Sequence, residues 1–201
     1  NFVQQRMIPS AMEPRGVLAV PSPHGGDVTL YSATQVPHIL KVMLAATTGI
    51  PESKIRVIAP AVGGGFGAKL NVNPDEILAV TLANKLGRPV RWTETRSEAA
   101  FSTHQGRAQN QRIELAADGD GKLLGVRVHL DADMGAYMML ITPGVPLLGS
   151  FLYTGVYDVP AFGFTCDGWF TNLTPTDAYR GAGRPEASYA IERAMDILAS
   201  K

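Results

Sequence analysis

Two short stretches carry the residue types from which a ligand site can be built. The first is Val62-Gly63-Gly64-Gly65-Phe66-Gly67-Ala68-Lys69. Four glycines within five positions let backbone N–H groups converge on an anion or an oxo group with no Cβ in the way. As a Walker P-loop the stretch fails, because Ala68 precedes Lys69 and Leu70 follows it where Ser or Thr is required. Gly63-x-Gly65-x-x-Ala68 matches a dinucleotide fingerprint in form. Yet Asn71-Val72-Asn73 separates it from the next helix, so a phosphate there would miss the helix N-terminus. The plain alternative is a loose surface turn, against which Phe66 argues. The second stretch is Asp177-Ala178-Tyr179-Arg180-Gly181-Ala182-Gly183-Arg184-Pro185. Its two arginines flank small residues just before a helical pattern and offer guanidinium forks beside exposed N–H groups. A Gly-rich helix entrance with solvated arginines is the alternative. Taken together, the loops favour one shared anionic or oxo-bearing ligand.

Other chemistry is thin. His24, His38, His104 and His129 have no metal-ligand spacing, and no side chain is assigned to a metal. There is no Gly-x-Ser-x-Gly elbow, and Cys166 sits in a strand pattern as a small hydrophobe.

The elements that must position these loops read as follows. Asp27 to Ser32 alternates as a strand, Pro37 to Thr48 is a helix stopped by Gly49, and Ile55 to Ala59 is a short buried strand. Asn73-Pro74-Asp75-Glu76 opens a second helix that runs to Leu86, and Val90 to Thr93 is the next strand. This β-α-β-α-β order predicts parallel pairing with right-handed crossovers. Gln109 to Ala117 and Lys122 to Asp131 are strands joined by Asp118-Gly119-Asp120-Gly121, a hairpin signal. A further strand spans Phe162 to Phe170, and Pro185 opens a last amphipathic helix. The fold class is α+β: a mixed sheet with βαβ units, a long antiparallel hairpin and packed helices.

With 201 residues the chain has the size of one domain, or of two small ones sharing a core, and its 18 basic and 18 acidic residues cancel. That balance argues against a nucleic-acid surface or an anionic-membrane patch. A single cysteine excludes a disulfide framework, a Cys-based zinc site and a self-contained iron–sulfur cluster. The uncharged run from Gly135 to Tyr157 is long enough to span a bilayer, but Pro143, Gly144, Pro146, Gly149 and Gly155 break it. It reads as a buried pocket or partner segment that promotes self-association, not a membrane span. The opening Asn1-Phe2-Val3-Gln4-Gln5-Arg6 has no signal-peptide character and reads as a cut into a longer polypeptide.

The two loops, in this order, resemble those of the molybdenum hydroxylase large subunits, the family of xanthine dehydrogenase, aldehyde oxidase and aerobic carbon monoxide dehydrogenase. The resemblance extends from Met12-Glu13-Pro14 through Ala33-Thr34-Gln35 to Ile191-Glu192-Arg193-Ala194, so residues 1–201 are expected to form a single molybdopterin-binding domain. In texture the carbon monoxide dehydrogenase large subunit is nearest, through Ile55 to Pro60 and Tyr189 to Ala194. The resemblance implies that Gln35 hydrogen-bonds an oxygen ligand of molybdenum. It implies that Gly64, Gly65, Phe66 and Gly67 cradle the cofactor, and that Arg180 with Gly181 caps its other side. Gln35, Phe66 and Arg180 are the catalytic candidates, while Arg107 and Leu70 face substrate. Leu70 stands where purine-oxidising members carry a Glu, which argues against xanthine. Gly181 stands where true carbon monoxide dehydrogenases carry a copper-binding Cys. The implied cofactor is a molybdenum–pterin of the cytosine dinucleotide type, held by the complete enzyme and not necessarily by this fragment. The implied reaction is hydroxylation of a small molecule at an electrophilic carbon, with oxygen from water. The implied partners are the rest of the large subunit, FAD-binding and [2Fe-2S] subunits, and further copies, in the cytoplasm. The family's nucleophile-assisting Glu lies in a later domain, so the fragment alone is expected to be inactive. A non-catalytic assembly domain and a nucleotide-binding module are the competing readings.

Overall fold

The computed structural model describes residues 1–201. In chain order its main elements are β1 (Phe2–Met7), β2 (Gly16–Pro21), β3 (Val28–Ser32), α1 (Pro37–Thr48), β4 (Ile55–Ile58), α2 (Pro74–Leu86) and β5 (Val90–Thr93). There follow α3 (Arg96–Ser102), β6 (Gly106–Ala117), β7 (Leu123–Gly135), α4 (Gly144–Gly149), β8 (Phe162–Phe170) and α5 (Arg184–Ala199). They divide into two compact units: a first, Pro9–Thr103, and a second, Asn1–Ile8 with His104–Lys201.

In the first unit the sheet order is β4-β3-β2-β5. The expected β3-α1-β4 crossover is present, with Val28 opposite Ile55 in parallel register. The expected parallel pairing of β5 is not: β5 pairs antiparallel with β2, Val17 opposite Trp92. The cause is β2 itself, a strand that its short apolar run between Arg15 and Ser22 did not announce. A tight hairpin closed by Ser22 N–H to Asp27 O (2.8 Å) sets β2 against β3, so the strand that β5 meets at this side of the sheet is β2. Pro37 starts α1 and left-handed Gly49 (φ 74°) ends it. Glu76 Oε2 accepts the Asn73 N–H (2.9 Å) at the start of α2. Leu30, Leu40, Leu44, Val80 and Ala83 form the centre of this unit's core.

In the second unit the order is β1-β6-β7-β8. The Asp118–Gly121 turn closes β6 on β7 as expected, with Asp118 Oδ1 accepting the Asp120 and Lys122 N–H groups. β8 lies parallel to β7, Leu130 opposite Cys166, and β1 lies antiparallel to β6. Two sheets thus replace the single mixed sheet. Val126 and Val128 pack on Tyr153, Ala187, Ala190 and Ile191, which seats α5 on the sheet. The uncharged segment contains α4 and puts Val145, Pro146, Gly149 and Tyr153 inside while Tyr137, Phe151 and Val156 stay exposed. No helix is long and apolar enough to cross a membrane.

Candidate functional site

Gln35 lies between β3 and α1, and its backbone N–H donates to Lys69 O (2.8 Å). Its side-chain Oε1 accepts the N–H groups of Gly67 (3.0 Å) and Lys69 (3.3 Å). Two donors on the oxygen fix the amide orientation, so Nε2 is turned away from the loop as a hydrogen-bond donor. Gly65 is seated against this side chain. A Cβ there would come 2.3 Å from Gln35 Oε1, whereas Gly65 itself is not left-handed. Left-handed backbone falls instead on Gly64 (φ 98°), Phe66 (φ 53°) and Gly67 (φ 98°). Phe66 pays for a conformation that a bulky residue rarely adopts, held by the turns Ala68 N–H to Gly65 O and Leu70 N–H to Gly67 O. The N–H groups of Gly64 and Gly65 have no protein acceptor.

Behind the loop, Glu13 Oε2 accepts the Gly63 N–H (2.7 Å) and the Lys69 ammonium (2.8 Å). Lys69 is buried, its side chain 1% exposed, while that of Glu13 is 43% exposed. The hydrogen bond from Lys69 holds the Glu13 carboxyl below the usual glutamate range.

The Arg180 loop belongs to the second unit. Its entry is fastened by His104 Nε2 on Ala178 O (2.9 Å), Thr142 Oγ1 on Thr176 O (2.7 Å) and Asp177 Oδ2 accepting from Ile141 N–H (3.2 Å). Gly181, Ala182 and Gly183 are then left-handed in succession, at φ 107°, 46° and 86°. A Cβ on Gly181 would lie 2.4 Å from Pro185 Cγ, and one on Gly183 would lie 2.1 Å from Val145 O. Arg107 donates from Nη1 to Glu186 Oε2 (2.9 Å) and from Nη2 to Arg180 O (3.2 Å). Its guanidinium carbon stands 4.7 Å from the centre of the Tyr179 ring.

A model described as the molybdopterin cofactor-binding domain matches residues 1–201. The chain belongs to that family. It is 40% identical over 199 residues to the carbon monoxide dehydrogenase large chain of Hydrogenophaga pseudoflava, covering 98% of this chain and 25% of that protein. It is 37% identical to the nicotine 6-hydroxylase large subunit of Paenarthrobacter nicotinovorans, over 98% of this chain and 24% of that one. The quinoline 2-oxidoreductase structure from Pseudomonas putida 86 superposes with a TM-score of 0.86 at 35% identity, covering 95% of this chain and 26% of that one. The chain therefore spans about a quarter of the length of the relatives it matches.

For a molybdopterin-binding domain, the residues present fit the group. A phosphate- and oxo-bearing cofactor needs N–H donors and close backbone approach, and Gly64, Gly65 and the outward Gln35 amide supply both. Of the nine site residues read from the sequence, Gln35 and Gly64 to Gly67 meet in one assembly, with half-buried Leu70 at its end. Arg107, Arg180 and Gly181 meet in another. Two of these residues are engaged in ways the sequence did not indicate: Gly67 gives its N–H to Gln35, and the Arg107 guanidinium is tied to the protein. Glu13, Lys69, Tyr179 and Glu186 were missed as supports, since their contacts join residues 50 to 79 positions apart. On the outer sheet face, His129 Nε2 stands 3.6 Å from Asp131 and 3.7 Å from Asp167, a surface cluster that spacing in the chain does not announce.

Proposed function

We propose that the complete protein is a molybdenum-dependent oxidoreductase and that this chain holds its pterin cofactor. The observation that carries the reading is the joint between Gln35 and the glycine loop. Main-chain donors pin Oε1, so the Nε2–H₂ group is presented, already oriented, to an acceptor on the cofactor. Gly64, Gly65 and Phe66 contribute the loop's backbone surface, Gly67 holds Gln35 in place, and Arg180 with Gly181 forms the second set of binding residues. When bound, the cofactor supplies two-electron redox chemistry at carbon. The cytosine dinucleotide form, and FAD and [2Fe-2S] partner subunits, follow from the resemblance. The chain's own residues orient and neutralise; they do not carry electrons.

Copper does not fit here. A copper(I) ion is selected by thiolate or thioether, and Gly181 offers neither. Its left-handed backbone and the 2.4 Å approach to Pro185 leave no room for a side chain. Cys166, the sole cysteine, is in β8, paired with Leu130. The complete enzyme should therefore act on aldehydes or N-heterocycles and turn over carbon monoxide poorly. Two relatives, named for nicotine and quinoline, point the same way. The test gives the purified full-length enzyme carbon monoxide or an N-heterocycle with an artificial electron acceptor, while copper and molybdenum are measured. Heterocycle turnover with molybdenum and no copper is expected. Fast carbon monoxide turnover with stoichiometric copper would refute it.

A further inference from the structure

Arg107 and Ala108 are both left-handed, at φ 68° and 56°, although neither is glycine. Such backbone persists only where surrounding contacts impose it. Those contacts converge on the loop that carries Arg180. Gly106 has no space for a Cβ, which would come 2.5 Å from Tyr179 Cβ, and the next residue lays its guanidinium against the Tyr179 ring. One arm of that guanidinium takes Arg180 O and the other takes Glu186 Oε2. Glu186 is completely buried in the first turn of α5, and its Oε1 has no partner. Burying an incompletely satisfied carboxylate is costly. Ordinary helix docking does not need it, since Ala187, Ala190 and Ile191 already seat α5.

We propose that Arg107 and Glu186 are positioning residues, which fix the Arg180 carbonyl and thereby the left-handed arc Gly181 to Gly183. The proposal rests on reading that arc as cofactor-binding, and it moves Arg107 from substrate contact to loop support. The arrangement depends on a planar fork that reaches two acceptors while stacking on a ring. Lysine retains the charge but not the fork. Glutamine retains the acceptor but not the charge. A role in bulk charge balance therefore predicts that Arg107→Lys is tolerated and Glu186→Gln is not; a positioning role predicts the reverse.

The experiment measures amide hydrogen exchange across residues 179–184 in the cofactor-free full-length protein, with β6 and β7 as internal controls for folding. Arg107→Lys and Glu186→Ala should speed local exchange by about tenfold or more, while Glu186→Gln stays within about twofold of wild type. Molybdenum content after reconstitution should fall in the same order. Wild-type exchange in Arg107→Lys, or Glu186→Gln as fast as Glu186→Ala, would overturn the proposal. Local exchange that rises with no loss of molybdenum would overturn the link to the cofactor. A wild-type enzyme that never takes up molybdenum would instead count against the proposed function.

Discussion

The Gly63–Lys69 loop and the Tyr179–Arg184 loop reach similar backbone shapes with side-chain supports of opposite kind. Each places a left-handed non-glycine residue, Phe66 or Ala182, between left-handed glycines. In the first loop the side chains act as acceptors: Gln35 Oε1 and Glu13 Oε2 take N–H groups of Gly63, Gly67 and Lys69, while the backbone N–H groups of the same two residues donate to Lys69 O and Gly63 O. The second is held by a donor, since Arg107 takes the Arg180 carbonyl. Their ion pairs are also inverted. In the first, the cation is buried and its carboxylate reaches solvent; in the second, Glu186 is 1% exposed and Arg107 12%. Similar turns can thus rest on supports that fail in different ways.

The largest expected effect exploits that inversion. Arg107→Met strands Glu186 as a buried unpaired carboxylate and should cost the second unit about 3–5 kcal/mol. Lys69→Met leaves Glu13 near water and should cost the first unit about 1 kcal/mol or less. Chemical denaturation of both variants checks the contrast, and equal losses would break it.

The glycines give the next test. A Cβ at Gly183 meets backbone, Val145 O and Gly149 N, which cannot step aside. The atoms nearest a Cβ at Gly65 belong to the Gln35 side chain, which is exposed and can swing away. Gly183→Ala should cost roughly 2–4 kcal/mol. Gly65→Ala should leave the melting temperature within about 2 °C, yet dislodge Gln35 and lower molybdenum content. Calorimetry beside metal analysis separates the two outcomes. A Gly65→Ala variant with wild-type molybdenum would remove Gln35 from the account.

A smaller effect concerns the platform beneath the first loop. Ser32 Oγ donates to Glu76 Oε1 (2.6 Å), and burial pushes the Glu76 carboxyl up to about 7. A carboxyl raised on folding favours the folded state most at pH below its unfolded value, and that contribution fades as pH rises to about 7. Stability of the first unit should therefore decline from about pH 5 to pH 7 and then level off. In Glu76→Gln, which can still accept from Asn73 N–H, this slope should fall to what Asp75, also raised by burial, contributes. An unchanged slope in melting curves would assign it to other groups.

Much of this was legible in the chain. Pro37 with Gly49, and Asn73-Pro74-Asp75-Glu76 with Gly87, mark α1 and α2 because starts and stops of helices are local chemistry. Thr95-Arg96-Ser97-Glu98 carries the same kind of signal for α3, a helix not expected above, with Thr95 N–H on Glu98 Oε2 at 2.7 Å. The hairpin at Asp118 was equally local. β2 was not legible, because its short apolar run Gly16–Val20, ended by Pro21, shows no alternation, and its absence hid the true partner of β5. Both loops were visible as glycine patterns. Their supports were not: Glu13 meets Lys69 and Arg107 meets Glu186 through the fold alone. At Gly65 the requirement is space for Gln35, while the left-handed backbone of the loop falls on Gly64, Phe66 and Gly67.

The central claim is that the Gln35 joint and its glycine loop hold a molybdenum cofactor, and metal analysis of the purified full-length enzyme tests it most directly. Molybdenum and released pterin should each be close to stoichiometric with the large chain, and both should drop sharply in Gln35→Ala. Wild-type enzyme that is folded and assembled yet free of both, or a Gln35→Ala enzyme that retains both in full, would contradict it.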